Sequence, residues 1–365
     1  MAAVKLTLRQ LRAHAVLHTF ASGPTLRRVI EQLEFVQADP IRAPARAQDL
    51  ILRQRFDPYR AGDLERHYPA LGIEEGYLYA YGFLTRRLWQ LRHPPNRKGL
   101  SLREQRLLAL VSERGEAHPD HLQEEFGRRR AINAWGSYST LAKLILERLH
   151  QRGLLRVVRR EQGVRVYAPC PTPSEALSKS ERFAAQLCAV SHVLAPISER
   201  SLRSVVARLA RALGCDARAV IAAQRTAGLL EAGTYDGATY LWPGPEARRP
   251  SLPSADELPR RVRLVAPFDP LVWDRQRFEQ LWGWAYRFET YTPVAKRVRG
   301  YYALPLLWAD RVIGWANLTR ADGELAVELG FAGSRPRERE FRRELEAEIE
   351  RMRAFLAVPE EQSPV

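Results

Sequence analysis

The chain has 365 residues, 45% hydrophobic and 27% charged. That is enough apolar mass for roughly two to four packed domains and excludes a disordered or fibrous protein. Lys and Arg outnumber Asp and Glu by 57 to 42, a net charge of +15, which points to a polyanionic partner, nucleic acid or an acidic membrane surface. No apolar run approaches the ~18 residues of a membrane span, and the N-terminal MAAVKLTLRQLRAHA has no secretory apolar core. Cys170, Cys188 and Cys215 lie far apart, without zinc-type spacing or a disulfide framework. The expectation is a cytoplasmic chain with no metal, no cofactor and no membrane attachment.

In chain order, residues 5 to 34 read as helices, the second running from Leu26 to Leu33 after Pro24-Thr25. It delivers the chain to FVQADPIRAPARAQDLILRQRF, Phe35 to Phe56. Pro40 disfavours the helical region for Asp39, so the segment is expected to be extended. In extended chain, residues two apart share a face. Gln37 and Asp39 then stand side by side, with Val36 and Ala38 opposite. The alternative is that Asp-Pro merely terminates a helix. A third helix is expected within Pro44 to Phe56. Its Arg46, Arg53 and Arg55, with Arg42 before it, form either a solvated face or a set of phosphate contacts.

The aromatic stretch 62 to 92 reads mainly as core, and His93-Pro94-Pro95-Asn96 closes a first region. Three helices come next: one through SLREQRLLALVSERG, a short one in HPDHLQEEFG, and one through STLAKLILERLHQRGLL, opened by Ser139 or Thr140 and stopped by Gly153. A hairpin turning at Gln162-Gly163 completes a winged-helix pattern. Residues 86 to 160 hold 17 Lys/Arg against 7 Asp/Glu, with Arg128, Arg129 and Arg130 in one run. The charge favours DNA, although winged helices also bind proteins. A looser copy of the theme spans 179 to 242, with helices at 179–194, 199–213 and 217–226 and a turn at Asp236-Gly237.

After the proline-rich Gly244 to Pro259 the pattern becomes strand-like, with turns at Asp310-Arg311 and Asp322-Gly323, until a charged helix from Arg335 to Leu356. That helix is expected to pack through Phe341, Leu345, Ile349, Met352 and Leu356. The fold class is therefore α+β: tandem winged-helix modules, then a small β-barrel-like domain and a terminal helix. The expected domains are 1–95, 96–173, 174–245 and 246–365.

Two blocks resemble a known family, the YcaQ-like winged-helix DNA glycosylases. FVQADPIRAPARAQDL resembles their Gln-x-Asp catalytic block, where AlkZ-type members carry Gln-x-Gln. VAPFDPLVWDRQRFEQLWGWAYRFETYTPVAKRVRGYYALPLLWADRVIGW resembles their C-terminal signature. The resemblance implies removal of N-alkylated bases and unhooking of interstrand crosslinks. It implies a monomer acting on double-stranded DNA in the cytoplasm, associated with the nucleoid. By resemblance Gln37 and Asp39 are catalytic. Arg42, Arg46, Arg53, Arg128, Arg129, Arg130, Lys296 and Arg297 are expected to contact DNA. The chain departs from the family at two places. A Trp-Ala-His-Glu element falls near Tyr77 to Ala80, without its His and Glu. A Gly-Arg-x-Asp-x-Lys strand reads Gly314-Trp315-Ala316-Asn317-Leu318-Thr319.

The chemistry agrees with the motif. Cleaving an N-glycosidic bond builds positive charge on the sugar, which a preorganised carboxylate stabilises while it polarises water. O-glycosidases need a second carboxyl to protonate the leaving group. An N7-alkylated guanine is already cationic and leaves without it. No lysine lies in the motif to form a Schiff base. The competing reading is a non-enzymatic winged-helix DNA-binding regulator, in which Gln37 and Asp39 have no special role.

Overall fold

A computed structural model of the chain describes residues 4–122, 126, 130–132, 138–171, 177–245, 258–321 and 324–357. They form a mixed α+β fold that divides into two compact units. One comprises Met1–Leu64, Tyr77–Gly82 and Lys179–Val365, and the other Glu65–Gly76 and Phe83–Ser178.

The first unit is built on one apolar cluster. Leu11, Ala15 and Val16 of the helix Leu8–Thr19 pack with Tyr240 and Trp242, and with Val265, Leu271, Phe278, Leu281 and Leu307 from the C-terminal part of the chain. The strand Val4–Lys5 runs parallel to Leu230–Tyr235, which pairs antiparallel with Ala238–Pro243; Ile197–Ser198 completes this sheet. Asp236 and Gly237 both adopt positive φ at the expected hairpin turn. A second, antiparallel sheet orders Val262–Leu264, Leu304–Trp308, Arg311–Ala321 and Glu324–Phe331. The expected turn at Asp322-Gly323 lies outside the described residues.

The helix Arg339–Leu356 buries Phe341, Leu345, Met352, Phe355 and Leu356. Ile349, expected in that stripe, is only half-buried, and its neighbour Glu348 is fully buried. Burial disfavours the Glu348 charge. The Arg53 guanidinium, the Leu264 N–H and Arg351 outweigh that cost and hold the carboxyl below its ordinary range. Arg53 and Gln54 both donate to it at 3.0 Å.

The second unit contains the helix Leu102–Arg114, started by a reciprocal Ser101–Glu104 capping box. The helix Leu141–Gln151 is N-capped by Thr140, and Gly153 takes positive φ after it. The hairpin Leu155–Glu161 and Val164–Pro169 turns at Gln162 and Gly163, both at positive φ. The short helix expected within HPDHLQEEFG is present as a 3-10 turn, Pro119–Leu122; the chain between that turn and Tyr138 lies mostly outside the described residues. Glu74 and Glu75 are fully buried here. Glu74 accepts from Arg156 at 2.8 Å and Arg86 at 3.2 Å; Glu75 accepts from Arg160 and Arg165. The positive surplus counted over 86 to 160 is therefore partly consumed internally, by two glutamates just outside that window.

Candidate active site

The segment carrying Gln37 and Asp39 belongs to the first unit. Thr25 caps the helix Leu26–Leu33, whose Leu26, Val29, Ile30 and Leu33 form one buried stripe. Glu34 then takes a left-handed conformation, φ 58°, and turns the chain into the strand Phe35–Gln37. Residues 38–46 are non-helical, and the helix Ala47–Leu52 comes after them, shorter than the expected Pro44 to Phe56 and buried at every position. Its Gln48 amide oxygen receives the Asp39 N–H at 3.4 Å.

A close approach pins the strand. The Ala38 N–H donates to the Tyr81 carbonyl at 3.0 Å. A Cβ added at Gly82 would meet the Val36 carbonyl oxygen, sit 2.8 Å from the Phe35 ring and sit 2.9 Å from the Gln37 Cα. Only glycine fits there. Gly82→Ala should therefore displace the Gln37 backbone, lowering the thermal midpoint and reducing any activity that depends on Gln37 by about tenfold or more, since displacements near 1 Å cost about a hundredfold at a positioned site. Parental activity in a Gly82→Ala protein of unchanged stability would contradict this placement.

Asp39 is half-buried. Its Oδ1 accepts the Ile41 N–H at 2.9 Å, which fixes the carboxylate plane. Among the described residues its second oxygen accepts no hydrogen bond. Burial raises the Asp39 pKa above the ordinary aspartate value, and the Ile41 N–H offsets part of that rise. The Gln37 amide oxygen is buried and has no hydrogen-bond partner among the described residues. An unmade acceptor costs about 1–3 kcal/mol, so this one is poised for a donor such as a water or substrate.

Tyr302, which the sequence reading missed, stands in the same environment. Burial, and then the Asp39 charge, push its phenol pKa up. Its hydroxyl is buried without a partner among the described residues, and its ring contacts Phe288 at 5.3 Å and Phe268 at 6.5 Å. The signal was present in the Gly300-Tyr301-Tyr302 triplet of the C-terminal signature, but nothing local ties it to Asp39.

The two sequence blocks are fastened to each other. Arg55 makes a bidentate pair with Asp269, at 2.9 and 3.1 Å, with both side chains fully buried. Gln54 donates to the Leu264 carbonyl at 3.1 Å and accepts from Arg263 at 3.1 Å. Where the family carries its His-Glu element, Tyr79 packs against Phe35 at 4.8 Å and Trp273 at 4.5 Å.

The expected DNA contacts divide. Arg42 is exposed two residues after Pro40, and Arg46 is half-buried at the start of the helix Ala47–Leu52. Arg53 is a correction: its side chain is 4% exposed and committed to Glu348, so it is held inside the protein and not offered to a phosphate. Lys296 is exposed, and Arg297 lies over the Tyr301 ring at 5.2 Å. Arg128 and Arg129 lie outside the described residues, and Arg130 is placed only as backbone in the strand Arg130–Ile132. Among the described residues no group of three or more His, Cys, Asp or Glu could hold a metal ion, and no helix is long and apolar enough to cross a membrane.

A half-buried carboxylate and an orphaned amide acceptor thus lie within three residues of each other at a non-helical Asp-Pro step. The model of the family described as DNA glycosylase AlkZ-like matches residues 30–355, a span that includes both blocks. The chain belongs to that family, and with it to the DNA glycosylases of DNA repair. The solved structure of the Streptomyces sahachiroi DNA glycosylase AlkZ is similar in fold, with a TM-score of 0.55 and 14% identity over 96% of this chain and 97% of that one.

Proposed function

We propose that this protein is a monofunctional glycosylase that hydrolyses the N-glycosidic bond of N-alkylated bases of the N7-guanine type in double-stranded DNA. The observation that carries this reading is the Asp39 carboxylate, fixed by Ile41 on one oxygen and, among the described residues, unengaged on the other. As the cationic base departs with the bonding electron pair, positive charge grows on the deoxyribose, and Asp39 stabilises it. The water oxygen bonds to C1′ and its proton passes to Asp39, whose raised pKa makes it the stronger base. The Gln37 amide oxygen accepts a hydrogen bond from that water and orients it. The winged-helix modules, in a four-domain layout, would grip the duplex with the C-terminal sheet as a barrel-like platform. The chain would act as a cytoplasmic, nucleoid-associated monomer.

A half-exposed carboxylate in a connecting segment suits a nucleotide processed from outside the duplex. A guanine tethered to the opposite strand cannot be drawn into a closed pocket. The reading therefore extends to N7-linked guanine crosslinks. On a denaturing gel, a labelled mustard-crosslinked duplex should be unhooked by the protein and not by Asp39→Asn. Excision of monoadducts with crosslinked strands left joined would defeat the open-site reading. Inertness toward both would defeat the glycosylase reading.

A further inference from the structure

Residues 289–301 form a loop with an unusual surface. Among the described residues, Tyr291 is 86% exposed, Val294 and Val298 each 75%, and Tyr301 44%. No other stretch of similar length in the described residues exposes four large apolar side chains. Exposed apolar clusters are costly unless something covers them.

The loop is also held rigidly. Glu289 is buried at its neck, and one carboxylate oxygen accepts the N–H groups of Val298, Arg299 and Gly300 at 3.0, 2.8 and 3.2 Å. Thr290 Oγ1 donates to the Tyr301 carbonyl at 2.8 Å, and Arg297 Nε to the Thr292 carbonyl at 2.8 Å. Asn317 and Trp315, on the strand Arg311–Ala321, brace the loop. Asn317 Nδ2 donates to the Arg299 carbonyl at 2.7 Å. The Arg299 guanidinium lies 4.8 Å from the Trp284 ring and 5.9 Å from that of Trp315.

Position and charge identify the occupant. Tyr291 contacts Phe288 at 6.4 Å, and Phe288 contacts Tyr302 at 5.3 Å. Tyr302 is the ring that feels the Asp39 charge. An aromatic row thus runs from Tyr302 through Phe288 to Tyr291 at the loop tip, where Lys296 and Arg297 flank the apolar side chains. Apolar and aromatic side chains presented between cations are the means by which proteins part stacked base steps while holding the adjacent phosphates.

We infer that the 289–301 loop is a wedge that enters the duplex beside the nucleotide addressed by Asp39, with Tyr291, Val294 and Val298 replacing the lost base stacking. This rests on the glycosylase reading for the identity of that nucleotide. A preformed wedge opens the stack from the side and leaves a tethered base in place.

The test uses the full chain with Tyr291→Ala, Val294→Ser and Val298→Ser combined, and unchanged thermal unfolding as the folding check. Tyr291→Ala alone serves if the triple variant is unstable. Excision of N7-methylguanine from matched duplex should fall by about tenfold or more, the scale of losing one base–aromatic stack. The defect should shrink to within about threefold when the lesion lies opposite an abasic site, where the stack is already open. In the Asp39→Asn background, 2-aminopurine next to the lesion should brighten on binding, and the loop variant should abolish that rise. Parental excision and retained brightening would overturn the inference, as would an equal defect on matched and abasic-opposed duplex. If the parent excises nothing, the glycosylase reading fails, and the loop-dependent brightening alone then decides the wedge.

Discussion

Asp39→Asn is expected to lose about two to three orders of magnitude or more in excision rate, the scale of removing a charge-stabilising or general-base group. The Asn oxygen still accepts the Ile41 N–H, so the loop geometry survives and the loss reports the charge. Gln37→Ala should lose less, because it orients water without carrying charge. DNA affinity should hold or rise, since a negative charge leaves the site. The raised Asp39 pKa fixes the sign of two further effects. In the proposed mechanism only the deprotonated carboxylate works, so the rate should fall as pH drops through a value above the ordinary aspartate pKa of about 3.9. Because the folded-state value is raised, the folded protein holds its proton longer than the unfolded chain. This group's contribution to stability is lost as pH rises through that window. Asp39→Asn should accordingly unfold at a slightly higher temperature at neutral pH while being inactive. An inactive variant that is also strongly destabilised would move the loss from chemistry to folding.

Asp269→Ala is expected to lower stability by about 3–5 kcal/mol, because it strands the Arg55 guanidinium in the core. Both partners are fully buried, and Asp269 also caps the turn Pro270–Trp273 through the Leu271 N–H at 3.0 Å. The pair joins the segment after the Gln37–Asp39 strand to the aromatic C-terminal block, so activity should fall with stability. Arg55→Met combined with Asp269→Leu should recover much of the stability, since an apolar pair of similar volume avoids burying charge. Urea unfolding measures both. An Asp269→Ala midpoint equal to the parent would mean that the pair does not fasten the two blocks.

Local chemistry was readable from the sequence where one residue dictates its own neighbourhood. Pro40 keeps Asp39 out of a helix, Thr140 opens one, and Gln162-Gly163 and Asp236-Gly237 turn hairpins as expected. Partnership at long range could not be read. Arg53 looked like one of a row of exposed cations, yet its carboxylate lies 295 residues away. Glu348 sits in a helix of mixed charges that reads as solvated, and only the sheet packed on that helix makes it a buried anchor. The surplus over 86 to 160 looked larger than it is because Glu74 and Glu75 precede the window. Nothing in the first residues announced that Val4 and Lys5 would pair with a hairpin beginning at Leu230. At the candidate site, the motif singled out Gln37 and Asp39, which stand on one non-helical segment. The Gly82 contact and the aromatic row from Tyr302 to Tyr291 depend on distances that no spacing in the chain encodes.

The most direct measurement is the identity of the product. Duplex carrying N7-methylguanine is incubated with the protein and with Asp39→Asn, the free base is assayed by chromatography, and the strands are resolved before and after alkali. Free N7-methylguanine is expected from the parent alone, with strand breaks appearing only after alkali, as a hydrolytic glycosylase without lyase action leaves them. Equal release by Asp39→Asn would contradict the role of its carboxylate, and strand breaks without alkali would contradict simple hydrolysis.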